Sequence, residues 1–143
     1  MKRSILASAS IALALLISPV VLHAADGKGK PDHPARISFG QEVEIKDFIV
    51  EGKTTIVDFT SKFCPPCERI SPLLDKLHAN REDIVVVKVD INRPDVRGID
   101  WKSPVARQYE LNSIPHFKVF GPDGKLQAEG DEAYAIVNKL VSG

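Results

Sequence analysis

Strand-like and helix-like stretches alternate along this 143-residue chain, and the alternation predicts an α/β domain with a central mixed β-sheet flanked by helices on both faces. Three observations carry that prediction. The runs at 54–59 and 84–89 are β-branched and apolar on both faces, as strands in the middle of a covered sheet must be. A helical pattern follows the first run directly and the second after a polar loop. The only two cysteines, Cys64 and Cys67, stand where the first run passes into its helix.

In chain order, Lys2 and Arg3 precede an apolar stretch from Ile5 to Leu22, and Leu22-His23-Ala24-Ala25 offers small residues for cleavage. That is the layout of a secretory signal peptide over 1–25. The stretch could also nearly span a bilayer as an uncleaved anchor, but Pro19, the serines and the small residues favour cleavage. With no cysteine near the cut, lipid attachment there is excluded. Residues 26–35 are polar and rich in Gly and Pro, which predicts a flexible linker, with His33 a solvated residue rather than a metal ligand. The domain is expected over 36–143.

Val43 and Ile45 alternate with acidic and basic neighbours, predicting a first strand within 37–45. A single helical turn is expected at 47–51, ended by Gly52. Asp58 is the anomaly in the 54–59 strand: a carboxylate there is either at an exposed end or buried for a purpose. In the helix at 68–80, Ile70, Leu73, Leu74 and Leu77 share a face and Pro72 removes one hydrogen bond. The 91–102 segment reads as a loop containing Pro94, Gly98 and Trp101. Ser103-Pro104 then reads as an N-cap with proline at the first helical position, opening a helix that stops near Asn112. A strand at 116–120, a turn at Gly121-Pro122-Asp123-Gly124, a strand near 125–128 and a helix over 131–141 complete the chain. In that last helix Ala133, Ile136, Val137 and Leu140 are expected to face inward.

Charge narrows the function. Nineteen Lys and Arg balance nineteen Asp and Glu, and losing Lys2 and Arg3 leaves a small negative balance. The charges are interspersed and form no basic stripe, so nucleic acid is excluded as a partner. Both cysteines lie in one C-x-x-C motif. A bridge closing so short a loop restricts the unfolded chain very little, which leaves a purely stabilising disulfide with little physical motive. The layout points instead to thiol–disulfide redox chemistry.

From about Glu42 to Ser142 the chain resembles the thioredoxin superfamily. The resemblance rests on Val57-Asp58-Phe59 before the cysteines, on Phe63-Cys64-Pro65-Pro66-Cys67 with Pro72 beyond, on Val87-Lys88-Val89-Asp90, and on Ser113-Ile114-Pro115 followed by Gly130. It implies a thioredoxin fold, a cis peptide bond before Pro115, and substrate contact through the backbone of Ile114. It also implies that Asp58 exchanges a proton with Cys67, with Lys88 nearby to bias its ionisation. The chain departs from thioredoxins proper in having Thr60 and Phe63 where tryptophan is usual, Pro65-Pro66 between the cysteines, and about ten extra residues between Asp90 and Pro115.

Within this frame Cys64 is expected to be exposed at the helix N-terminus and to attack first, and Cys67 to be buried and to resolve. Pro65 and Pro66 lack N–H groups, so only Cys67 and groups beyond can donate to the Cys64 sulfur. Glu68 opposes a thiolate and Lys62 offsets it. Together these predict a Cys64 pKa nearer 7 than 4 and a reducing bias. Trp101 is expected to cover the face left open by Thr60, beside Phe63, Ile114 and Pro115 as the substrate surface; packing on the following helix is the other reading. The predicted activity is that of an exported protein-disulfide reductase, periplasmic or secreted and monomeric. It would need no cofactor beyond the redox-active Cys64–Cys67 disulfide, no metal, and no membrane span in the mature chain. Its partners would be protein thiols and disulfides and an unidentified electron donor. A net oxidant is the alternative within the class, disfavoured by the motif. A copper chaperone is the alternative outside it, disfavoured because the only methionine is Met1.

Overall fold

A computed structural model describes residues 29–143. The expected signal peptide lies outside the described residues. The described elements are β1 (Ala35–Ile37), a 3-10 turn (Ile45–Phe48), β2 (Thr54–Thr60), α1 (Pro65–Asn80), β3 (Ile84–Asp90), α2 (Pro104–Gln108), β4 (His116–Phe120), β5 (Leu126–Glu129) and α3 (Asp131–Ser142). The five strands form one sheet in the order β1-β3-β2-β4-β5. β1, β3 and β2 are parallel, while β4 pairs antiparallel with both β2 and β5. The expected mixed sheet with helices on both faces is therefore observed.

The two doubly apolar runs became the two central strands, β2 and β3, because only there are both faces covered. Side chains alternate across the sheet. Ile56, Val86, Phe117 and Val119 therefore meet Ile70, Leu74 and Leu77 of α1 and Ala133 and Val137 of α3. On the opposite face Val57, Phe59 and Val89 meet Val105 and Ala106 of α2. Asp58 shares the α1 face by the same alternation, in register with Lys88 of β3 and Phe117 of β4.

Several expectations are corrected. The first strand is not within 37–45; β1 ends at Ile37 because Ser38, Phe39 and Gly40 all take positive φ and turn the chain. Val43 instead bonds side chains: its N–H donates to Gln108 Oε1 at 2.9 Å and its carbonyl accepts from the Tyr109 hydroxyl at 2.6 Å. The helix expected to stop near Asn112 ends at Gln108, closed by Glu110 at φ 51° and a bond from the Leu111 N–H to the Ala106 carbonyl. Ile136 faces outward because the buried stripe of α3 runs through Ala133, Val137, Leu140 and Val141. The described end of the expected linker is fastened rather than free. Lys30 donates to the carbonyls of His78 and Arg81, His78 Nε2 lies 2.8 Å from the Pro31 carbonyl, and Ala35 already belongs to β1. Among the described residues, no helix is long and apolar enough to cross a membrane.

Candidate active site

The parallel strands β2 and β3 end at the same edge of the sheet, the edge where open α/β sheets build their sites. β2 delivers the chain into a tight turn there. The Cys64 N–H donates to the Ser61 carbonyl at 3.1 Å, and the Phe63 N–H donates to the Ser61 hydroxyl oxygen at 3.1 Å. Cys64 is then the N-cap of α1, with extended backbone (φ −109°, ψ 102°) and Pro65 and Pro66 opening the helix.

Cys64 and Cys67 form a disulfide with Cα atoms 5.2 Å apart. The Cys67 N–H donates to Cys64 Sγ at 3.2 Å. With prolines at the two preceding positions, it is the first N–H of the helix that can do so. The Cys64 carbonyl accepts the Glu68 N–H at 3.0 Å, so the helix starts without delay. Pro65, Pro66 and Glu68 are themselves exposed.

Cys67 is fully buried, as expected, but Cys64 is buried too, at 2% exposure, which corrects the expectation of an exposed sulfur. The cause is close packing across the turn. The Ile114–Pro115 bond is cis, and the Ile114 carbonyl oxygen lies 3.6 Å from Cys64 Sγ. A disulfide sulfur has no hydrogen to give; a Cys64 thiol would donate to that carbonyl. Phe63 is half-buried with the Lys62 ammonium 5.1 Å from its ring centroid. Phe63, Ile114 and Pro115 are each half-buried, and of the three only the Ile114 carbonyl is placed against the sulfur by a hydrogen-bond distance.

Asp58 is fully buried, and neither carboxylate oxygen has a hydrogen-bond partner. Burial pushes its pKa from 3.8 up to about 7, against the opposing pull of Lys88 and Arg36; the Asp75 charge adds to the rise. Lys88 is adjacent in register, as expected, yet its ammonium does not bond Asp58. It is held by Asp75 and by the Ser71 hydroxyl oxygen at 2.7 Å, both on α1. The sequence reading missed Ser71 and Asp75. Their i, i+4 spacing, which puts both on one helix face, was the available signal.

Trp101 does not cover an open face. Thr60 is itself buried, with its carbonyl bonded to the Ile91 N–H, while Trp101 is 40% exposed just ahead of α2. His116 turns toward β5, with Nε2 3.2 Å from Glu129 Oε1 and its ring edge against Phe59. Among the described residues no group of three or more His, Cys, Asp or Glu is placed to hold a metal ion.

A disulfide capping a helix, a cis-proline loop against its sulfur and a buried carboxylate on the strand before it define a thiol–disulfide exchange domain. The chain belongs to the thioredoxin family, whose model, described as "Thioredoxin", matches residues 37–141. Thioredoxin of Mycoplasmoides gallisepticum is 28% identical over 85 residues, covering 59% of this chain and 76% of that one. Thioredoxin 1 of Plasmodium falciparum is 30% identical over 79 residues, covering 55% and 68%. An H-type thioredoxin of Brassica campestris is 31% identical over 74 residues, and there the match spans about half the relative, 54%. Among solved structures, a mutant thioredoxin of Halobacterium salinarum superposes with a TM-score of 0.55 at 23% identity, covering 81% of this chain and 95% of that one. Thioredoxin f of spinach chloroplast does so with 0.53 at 18%, covering 78% and 92%. At these identities the solved structures speak for the fold.

Proposed function

We propose that this chain is an exported protein-disulfide reductase. The observation that carries the reading is the Cys64–Cys67 disulfide at the head of α1, with the Ile114 carbonyl against the Cys64 sulfur. In the dithiol form the Cys64 thiolate attacks one sulfur of a substrate disulfide. The substrate S–S bond breaks, one substrate thiolate leaves, and a mixed disulfide forms. Cys67 then loses its proton and attacks Cys64 Sγ; the mixed disulfide breaks and the second substrate thiolate leaves. Two electrons pass from the cysteine pair to the substrate. Asp58, held near pKa 7, is matched to take the Cys67 proton and return it to solvent. A dithiol donor must then reduce the pair again.

Support for the reducing direction comes from the cap. Two prolines leave one nearby N–H, that of Cys67, on the Cys64 sulfur, and Glu68 adds a negative charge in the first turn. A weakly stabilised thiolate makes a weakly oxidising disulfide. Equilibration of the pair with glutathione should give a potential of about −200 mV or lower, whereas a value near about −120 mV would mark a net oxidant. A Cys67→Ser variant should trap client proteins as mixed disulfides through Cys64. Trapping through position 67 in the converse variant, Cys64→Ser, would reverse the assignment.

The export reading rests on residues 1–25. N-terminal sequencing of the protein recovered from outside the cytoplasm should begin after Ala24 or Ala25. Retention of the full chain in a membrane fraction would favour an anchor instead.

A further inference from the structure

The stretch from Asp90 to Pro115 is longer than the resemblance calls for, and its part between β3 and α2 is closed on one side chain. Asn92, 5% exposed, accepts the Asp100 N–H on Oδ1 at 3.4 Å and donates from Nδ2 to the Gly98 carbonyl at 2.6 Å. Its own N–H donates to Asp90 Oδ1 at 3.0 Å. The loop is braced from outside by Arg93, which donates to both carboxylate oxygens of Asp100 at 2.7 and 3.1 Å. Gly40 packs against the same place: a β-carbon there would sit 2.6 Å from the Arg93 backbone nitrogen.

One bond of the Asn92 side chain leaves the loop. The Ser61 hydroxyl, fully buried, donates its hydrogen to Asn92 Oδ1 at 2.5 Å. A hydroxyl has one hydrogen to give. With that hydrogen committed to Asn92, the Ser61 oxygen is free to accept the Phe63 N–H. The neighbouring Ser61 carbonyl accepts the Cys64 N–H. The redox turn and the loop are thus joined by one buried chain: Asp100 and Gly98 to Asn92, Asn92 to Ser61, Ser61 to the backbone of Phe63.

We infer that Asn92 is a positioning residue for the redox turn, acting through the Ser61 hydroxyl to hold Cys64 where its sulfur meets the Cys67 N–H. The inference rests on the reading of Cys64 as the attacking sulfur. Without Asn92 the hydroxyl turns to another acceptor, the Phe63 N–H loses its partner, and the turn loosens. A thiolate at Cys64 then loses part of its contact with the Cys67 N–H, so its pKa rises. The link also gives the loop, and the exposed Trp101 that follows Asp100, a mechanical connection to the site.

The test is the pH dependence of Cys64 alkylation by iodoacetamide in the reduced protein, followed by mass spectrometry. Asn92→Ala and Ser61→Ala should each slow alkylation at neutral pH about fivefold, the size of one ordinary hydrogen bond, by moving the profile to higher pH. Because both break the same link, the double variant should be no slower than either single one. Ser61→Thr, which keeps the hydroxyl, should restore the profile. Neither alanine substitution alters Lys62 on the turn, Glu68 or Arg69 in the first turns of α1, or Asp58 on β2. Ser61→Ala removes a single oxygen, so it tests the link even where Asn92→Ala fails to fold. Variants that melt earlier with an unchanged alkylation profile would reduce Asn92 to a loop brace. A shift in Ser61→Ala alone would remove Asn92 from the link. Alkylation needs neither client nor donor, so a protein that fails to reduce disulfides would still report on the link.

Discussion

Asp58 and Asp100 are both nearly sealed from solvent, at 0% and 4% exposure, yet their ionisation is driven in opposite directions. Asp58 has no hydrogen-bond partner on either oxygen, and burial raises its pKa to about 7. Asp100 is gripped by Arg93 on both oxygens, and that hydrogen-bonded guanidinium holds its carboxyl below the usual range. Burial alone does not decide what a carboxylate becomes; the presence of a partner does. In the loop, a turn of the chain brings Arg93 back onto Asp100. In β2 the register offers Asp58 one cation, Lys88, and α1 draws that ammonium away to Ser71 and Asp75. One carboxylate is thereby held ionised by its partner, and the other is left unpartnered with its pKa near 7.

The sharpest way to break this comparison is Asp58→Asn. With no base for the Cys67 proton, the exchange rate near neutral pH should fall on the order of a hundredfold. The inflection that Asp58 contributes near pH 7 should vanish, leaving the one set by the Cys64 thiolate. Stability should move the other way. A raised folded-state pKa means that the folded chain binds the proton more tightly than the unfolded chain, so the native protein loses stability as pH rises from about 4 to 7. The asparagine variant lacks that loss. Urea unfolding of the oxidised protein should show its advantage growing by ~4 kcal/mol across that window. A gap that stays flat with pH would mean that Asp58 is ionised and paired after all.

Converting Asp100 into a second Asp58 tests the other half. Arg93→Met keeps much of the stem and removes the guanidinium. A depressed pKa supplies stability that is present above the unfolded-state value and lost as pH falls through the folded one. The variant should therefore unfold at lower urea than the wild type at pH 7, and the difference should shrink toward pH 3. A difference independent of pH would assign the Arg93 contribution to packing alone.

The smallest effect should come from Asp75→Asn. The Asp75 charge raises the Asp58 pKa directly, and its carboxylate also holds the Lys88 ammonium. Neutralising it frees Lys88 toward Asp58 and lowers the Asp58 pKa, so the rate profile should shift to lower pH while the fold is kept. An unmoved profile would show that neither the Asp75 charge nor its hold on Lys88 governs the ionisation of Asp58.

Much of the fold was legible because it is written in local patterns. The doubly apolar runs located β2 and β3, Ser103-Pro104 marked the start of α2, and the Ser103 hydroxyl does accept the Ala106 N–H at 3.2 Å. The cysteine motif and Pro65-Pro66 gave the geometry of the cap, down to the Cys67 N–H as donor. The misread stretches were those where the backbone turns without a local signal. Ser38 and Phe39 adopt positive φ with no glycine of their own, and the alternation at Val43 and Ile45 serves α2 rather than a strand. The exposure of Trp101 and the burial of Cys64 depend on what packs beside them, which spacing along the chain does not encode.

That Pro115 lies against the cysteines was implied by the family resemblance; the sequence by itself determined a cysteine pair at the head of a helix, a carboxylate inside an apolar strand and a cap whose prolines offer no N–H. Residue type and periodicity suffice for that, because helix caps, strand faces and proline's missing N–H are local properties. Only the tertiary structure decided how the groups are tuned. The Lys88 ammonium goes to Asp75 rather than Asp58, and the Ser61 hydroxyl goes to Asn92. Both choices join residues distant in sequence, and a buried polar group takes whichever partner packing brings within hydrogen-bond reach.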